Sequence, residues 1–216
     1  RYTAASAPTV FPSAPVEVIY YPIAAPPQFD AAARQAARAE FGAGPQSVVI
    51  AMPARLEPWK GHRLLLQALQ RLRDVAGWQA WIIGGVQRPH EAAYLAELQQ
   101  TASTAGISDR VKFLGQRNDV ARLFAAADLH CQPNLGGEPF GIVFIEALYA
   151  GLPVISTDLG AAPEIVTPEC GRLAEPGNPT ALANILGELV ADAELRRRLG
   201  SAGPARAQSL SGPTEV

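Results

Sequence analysis

A chain of 216 residues that is 48% hydrophobic and 18% charged carries enough apolar mass for one large core, and its formal net charge of -2 gives no electrostatic case for nucleic acid or an acidic membrane surface. No apolar run reaches the roughly 18 residues a spanning helix needs, and no signal peptide is visible. Cys131 and Cys170 lack CxxC spacing and read as free thiols of a reducing cytoplasm, while His62, His90 and His130 are scattered without metal-ligand spacing.

The chain begins at Arg1, in mid-pattern and without a methionine, as a piece of a longer protein would. Residues 1–46 stand apart in composition. The stretch "SAPTVFPSAPVEVIYYPIAAPPQF" is rich in proline and alanine and holds one strand-like piece, "VEVIYYP" at 16–22. "DAAARQAARAEFGAG" then reads as a short helix ended by Gly42 and Gly44. This segment is expected to be an interdomain linker with a remnant of a preceding domain. A Rossmann-like domain is expected at 47–200, and the polar end, 201–216, reads as a flexible tail.

From Ser47 the pattern is regular. "SVVIAMPA" predicts a buried strand and "GHRLLLQALQRLRDV" a helix; "WQAWIIGG" and "HEAAYLAELQQTASTAG" repeat the pair. "VKFLG", "DVARLFAAA", "DLHCQP", "FGIVFIEALYAG", "PVIST" and "GRLAEP" continue strand, helix, strand, helix, strand, strand, and "PTALANILGELVA" and "AELRRRLGSAG" close with two helices. Short apolar strands alternating with helices predict an α/β fold, a doubly wound parallel sheet covered on both faces. Ligands of such sheets lie beyond the carboxyl ends of the strands, at the point where strand order reverses. The residues that follow strands are therefore the informative ones.

After the first strand, "ARLEPWKG" places Arg55 and Lys60 on either side of Pro58, which is expected to hold the loop out of helix. Two cations at the opening of the next helix suit a diphosphate, although a pair of solvated surface cations has the same sequence. No GxxxxGK[ST] or GxGxxG is present, so neither a Walker loop nor a dinucleotide fingerprint is supported. Paired glycines in "IIGGVQRP" allow a tight turn or a close backbone approach to a ligand. In "FLGQRNDVARLF", Asn118 or Asp119 can cap the short helix, and Arg117 is a surface arginine or a lip of the cleft.

"GGEPFGIVFIEALYAG" is the densest stretch. Gly137 and Pro139 place a helix start near Phe140, with Glu138 in the loop at its mouth and Glu146 about two turns inside. At eight rises the carboxylates stand up to ~12 Å apart and about 80° out of line, too far to share a proton. They could hold separate hydroxyl-bearing parts of one elongated ligand, with an anion at the helix N-terminus between them. Gly141 would leave that backbone open to the ligand. Hydroxyls, a diphosphate and more hydroxyls describe a nucleotide sugar. The plainer alternative makes Glu138 a loop charge and pairs Glu146 with a distant arginine.

Together "ARLEPWKGHRLLLQAL", "FLGQRNDVARLFAAADL", "GEPFGIVFIEALYAGLPVISTDLGAAPEIV" and "CGRLAEPGNPTALANIL" resemble, in order and across about residues 46–200, the C-terminal donor-binding domain of the GT-B retaining glycosyltransferases of glycosyltransferase family 4. The E-x7-E pattern of that family falls on Glu138 and Glu146. The resemblance implies catalytic roles for Glu138, Arg55 and Lys60. The two cations would stabilise the leaving diphosphate, and Glu138 would lie at the donor sugar. It implies that Glu146 binds the ribose hydroxyls, that Phe140, Gly141 and Ile142 turn backbone to sugar and phosphate, and that the loop from Arg117 to Val120 holds the base.

It further implies a metal-independent enzyme with no cofactor beyond its nucleotide-sugar substrate. The acceptor, a carbohydrate, lipid or small molecule, would be held by an N-terminal domain of the same protein. The whole protein would be cytoplasmic, at most peripheral at the inner membrane face. Ala161 stands where the family usually has a second glycine. Alone, this half is expected to bind nucleotide weakly and not to transfer sugar efficiently. A non-catalytic nucleotide-sugar module and a GT-B relative such as a nucleotide-sugar epimerase are the alternatives. A phosphorylase fits poorly, because Lys60 and Lys112 are the only lysines and neither is free for pyridoxal phosphate.

Overall fold

The computed structural model describes residues 2–18 and 21–211. After helix α1 (Tyr2–Val10) and helix α2 (Ala31–Glu40), strands and helices alternate: β1 (Val48–Pro53), α3 (His62–Arg71), β2 (Trp78–Ile83), α4 (Pro89–Thr104), β3 (Val111–Phe113), α5 (Val120–Ala126), β4 (Leu129–Cys131), α6 (Ile142–Tyr149) and β5 (Val154–Thr157). A short helix α7 (Ala162–Ile165) precedes β6 (Gly171–Ala174), and α8 (Pro179–Ala191) and α9 (Ala193–Ser211) follow it. The six strands form one parallel sheet in the order β3-β2-β1-β4-β5-β6. The chain thus lays down three strands in one direction from β1 and then returns to add three on its other side. β1 and β4 are neighbours, with Ile50 opposite Leu129 and Ala51 opposite His130. The connections leaving them diverge, which opens a crevice beyond their carboxyl ends.

Strand alternation sorts the core into two layers. Val48, Ile50 and Met52 join Leu64, Leu65, Leu69, Leu98 and Leu186 under α3, α4 and α8. Val49 and Ala51 join Trp81, Leu123, Phe144 and Leu148 under α2, α5, α6 and α9. All six residues of β1 and of β2 are buried, which is why β1 reads as an unbroken apolar run and β2 is broken only by Gln79. Each fully buried Leu or Ile contributes about 1.5–3 kcal/mol relative to exposure, so the α3 residues Leu64, Leu65 and Leu69 anchor the helix firmly. No helix of the described residues is long and apolar enough to cross a membrane.

Three expectations are corrected by packing. The segment before residue 47, expected to be a linker, holds helix α2, which packs on the body. Asp30 caps that helix through Ala33 N–H at 2.8 Å, and Ala37 and Arg38 are buried against the body. Arg34 and Arg38 both reach Asp128, at 2.7 and 2.9 Å, and Arg38 also donates to the carbonyl of Ala126 at 2.9 Å. Residues 201–211 are not a loose tail but the end of α9: Leu199, Ala207 and Leu210 are buried, and Arg206 Nε donates to the Ile165 carbonyl at 3.0 Å. Residues 212–216 lie outside the described residues. Within "VEVIYYP", Val16–Val18, Tyr21 and Pro22 form no strand, while Ile19 and Tyr20 lie outside the described residues. Pro15 and Pro22 remove donors that a ladder there would need.

Candidate functional site

Two loops meet at the strand-order reversal. The loop leaving β1 runs through Arg55 and enters a short 3-10 turn, Pro58–Lys60, before α3. Pro58 therefore opens a helical turn, where its missing N–H costs nothing, instead of holding the loop extended. The loop leaving β4 runs from Gln132 to Gly141, and Leu135 N–H donates to the Trp59 carbonyl at 2.7 Å, joining the two loops. Gly84, after β2, has space only for hydrogen, since a Cβ there would lie 2.1 Å from the Ala54 carbonyl oxygen. The paired glycines thus bring neighbouring loops together and do not themselves line the cavity.

α6 begins at Ile142, with Gly141 at its N-cap in the left-handed conformation, φ 83°. The glycine is required by that φ and by Phe144, whose ring would lie 2.6 Å from a Cβ, a more direct reason than ligand approach. Helix onset at Ile142 also corrects the depth of Glu146: it sits just over one turn inside, not two. The amides of Ile142 and Val143 precede the first intrahelical bonds and have no backbone partner among the described residues, leaving donors at the helix mouth.

A cavity of about 310 Å³ lies between the loops. Arg55, Lys60, Glu138, Phe140, Gly141, Ile142 and Glu146 all line it, so seven of the sequence-derived residues converge. Gln132, which sequence reasoning passed over, lies on the same wall. Its position directly after β4 at the reversal point was the available signal.

The two glutamates sit in unlike surroundings. Glu138 Oε2 accepts from Lys60 Nζ at 2.6 Å, with both side chains largely buried, and the ammonium also stands 4.0 Å over the Trp59 ring. Arg55 is half exposed and pairs with Glu57 at 3.1 Å. The Glu146 side chain has no ion pair or hydrogen bond among the described residues, and burial raises its pKa above the usual carboxylate value. The distant-arginine alternative for Glu146 is thereby removed. A half-buried, unpartnered carboxylate on a cavity wall is arranged to accept hydrogen bonds from hydroxyls.

Arg117 and Val120 are not brought into this cavity. Arg117 lines a separate depression with Gln116, Asn118 and Asp119, and Val120 packs at the start of α5. Asp119 occupies the N-cap position of α5, but its carboxylate makes no cap hydrogen bond. It instead accepts from Arg117 Nε at 2.8 Å and Arg122 Nη1 at 2.8 Å, and the Arg117 hydrogen bond first of all lowers its pKa to about 2. Glu40 on α2 completes the cluster, accepting from Arg122 at 2.5 Å. The N-terminal segment touches the mouth of the cavity. Tyr2 N–H donates to Glu164 Oε1 at 2.5 Å, Thr3 Oγ1 to the Pro139 carbonyl at 3.0 Å, and the Tyr21 ring meets Phe140 edge-on.

Residues 33–206 match the sequence profile of the family described as glycosyl transferases group 1. The chain is 36% identical over 151 residues to a phosphatidyl-myo-inositol mannosyltransferase of Mycobacterium leprae, covering 68% of this chain and 38% of that protein. The solved structure of HepE of Anabaena, in complex with UDP and glucose, superposes with a TM-score of 0.79 at 32% identity, covering 84% of this chain and 49% of that one. The isolated C-terminal domain of a glycosyl transferase group 1 protein, LpcC of Francisella tularensis, matches at 26% identity with a TM-score of 0.71, covering 88% of this chain and 94% of that domain. The chain thus spans half or less of the two longer proteins. With a match that takes in the sheet, the cavity loops and α9, the chain belongs to the group 1 glycosyl transferases and has the fold of a GT-B C-terminal domain.

Proposed function

We propose that this chain is the donor-binding half of a retaining glycosyltransferase of family 4, taking a nucleotide-diphosphate sugar whose glycosyl group passes to an acceptor held by an N-terminal domain. The observation that carries the reading is the convergence of Lys60, Arg55, Glu138 and Glu146 on one cavity at the strand-order reversal, beside the free amides of α6. The nucleotide of the HepE complex supports it from outside the chain.

In this reading Glu146 accepts hydrogen bonds from the ribose hydroxyls, while the amides of Ile142 and Val143 face the diphosphate. As the bond between the anomeric carbon and the diphosphate oxygen breaks, negative charge gathers on the departing phosphate. Lys60, with Arg55 beside it, compensates that charge without a metal ion. The acceptor hydroxyl forms the new bond to the anomeric carbon on the face the nucleotide leaves, and its proton departs with the diphosphate. Glu138 is placed at the sugar hydroxyls and holds Lys60 until the donor arrives. The base would extend out of this cavity toward the separate depression at Arg117 and the start of α5 at Val120, and the whole protein works in the cytoplasm or at its membrane face.

Calorimetric titration of UDP, GDP, ADP and their nucleosides tests the reading. One diphosphate should bind, and its nucleoside should bind more weakly. Glu146→Ala should weaken that binding about 10- to 100-fold, the equivalent of one charge-assisted hydrogen bond of about 1.5–3 kcal/mol. Absence of binding to all three diphosphates, or an unchanged affinity in a folded Glu146→Ala variant, would overturn it.

A further inference from the structure

Where β4 ends at the strand-order reversal, Gln132 lines the cavity and Asn134 follows two residues on, behind that lining, their side-chain amides 1% and 0% exposed. They are tied to each other, Gln132 Nε2 donating to Asn134 Oδ1 at 3.0 Å. The two remaining amide atoms, Gln132 Oε1 and Asn134 Nδ2, are shut away from bulk solvent and meet no partner among the described residues. Exchanging oxygen and nitrogen in both amides changes nothing, because one acceptor and one donor are still left over.

The backbone carrying them is fixed on both sides. Gln132 N–H donates to the Ile155 carbonyl at 3.0 Å, Ser156 Oγ donates to the Gln132 carbonyl at 2.9 Å, and Thr157 Oγ1 donates to the Asn134 carbonyl at 2.5 Å. The bond from Leu135 to Trp59 joins the same segment to the turn that carries Lys60. Gln132 is therefore held firmly in the cavity wall.

Buried amide atoms without partners are costly enough that native proteins rarely keep them unused. The unmatched pair offers one acceptor and one donor. A phosphate oxygen only accepts, so it cannot satisfy the acceptor; a hydroxyl donates and accepts and matches both. We propose that the Gln132–Asn134 amide pair reads a hydroxyl of the transferred sugar and so helps determine which sugar the cavity takes. The proposal rests on the donor-site reading. Ribose is the other source of hydroxyls, but Glu146 already serves that end. A site built to hydrogen-bond a hydroxyl discriminates strongly against analogues that lack it, whereas an apolar wall barely does.

The test titrates UDP, UDP-glucose, GDP and GDP-mannose into the wild-type chain and the Gln132→Leu/Asn134→Leu double variant, with melting temperatures alongside. The expected result is an unchanged affinity for the bare diphosphate, a roughly tenfold loss for its sugar nucleotide, and a melting temperature equal to or above wild type. Replacing both partners of an unsatisfied polar pair by apolar groups of similar shape is close to neutral for folding. Wild-type affinity for the sugar nucleotide in the variant would overturn the proposal. An equal loss for diphosphate and sugar nucleotide would overturn it in favour of ribose. A lower melting temperature without a sugar-specific loss would mark the pair as structural only. If the double variant does not fold, Gln132→Met is the second variant, with the same sugar-specific loss expected. If the wild type binds none of the four and ADP does not bind either, the donor-site reading fails first and this inference falls with it.

Discussion

Lys60 and Glu138 form a short, largely desolvated pair at 2.6 Å, so each side chain limits what the other can do. A diphosphate that binds Lys60 has to compete with Glu138 for the ammonium. Glu138→Gln weakens that competition while keeping the shape, and the affinity for a bare nucleoside diphosphate should rise about three- to tenfold in calorimetry. An unchanged affinity would show that the lysine meets the phosphate without leaving the glutamate. Glu146 behaves differently because no charged group pairs with it among the described residues, and its raised pKa follows from burial. The sequence carried the identity of both carboxylates and their shared loop. It did not carry their partners, because Lys60 is 78 residues from Glu138 and only the closure of the 3-10 turn on the β4 loop brings them together. Gln132 went unread for a related reason: an amide in an apolar stretch declares itself only once its neighbours are seen to leave it unmatched.

At the scale of elements, every strand and helix predicted from 47 onward has its counterpart, with ends moved by a few residues, because apolar runs and helical spacing are local properties. The failures are where distant contacts decide. The α2 helix was legible as a helix but not as part of the body, since Ala37 and the Arg38–Asp128 pair depend on a partner 90 residues away. α7, with four residues, is too short for any periodicity to show. The end of α9 looked loose because Ser, Arg and Gln outnumber its apolar residues, yet Ala207 and Leu210 are enough to bury one face. If α2 belongs to the body, Arg38→Ala should lower unfolding free energy in urea by about 1–3 kcal/mol, because the carbonyls of Ala126 and Gly44 lose their donor while Asp128 keeps Arg34. A change below about 0.5 kcal/mol would return the segment to the role of a linker.

For the molecule as a whole, α1 is the contrasting case. None of its residues is buried, and its polar contacts fall on exposed atoms of the cavity loop and Glu164. A chain lacking only α1 should therefore keep its melting temperature within about 2 °C, a loss under roughly 1 kcal/mol for a domain of this size. A larger drop would mean that the N-terminal segment stabilises the body. The body itself has an acid weakness shared between its two layers. His62 is enclosed between α3 and α4 beside the Tyr94 ring, and His130 lies on the opposite face of the sheet between Phe124 and Phe144. Burial first of all lowers both pKa values from 6.5 to about 4, with the Lys60 and Arg63 charges adding to the shift at His62. Between those values the unfolded chain takes up protons that the folded one refuses. Stability is thus complete above about pH 6.5 and declines as pH falls toward 4, by on the order of 3 kcal/mol for each histidine. The urea midpoint should fall across that window, and His62→Leu together with His130→Leu should remove most of the slope even if both variants start from a lower midpoint. A midpoint that stays flat from pH 7 to 4 in the wild type would mean that the histidines gain protons without leaving the core. Because the two rings occupy opposite layers, their protonation strains both faces of the sheet at once, and the acid transition should remain a single cooperative step.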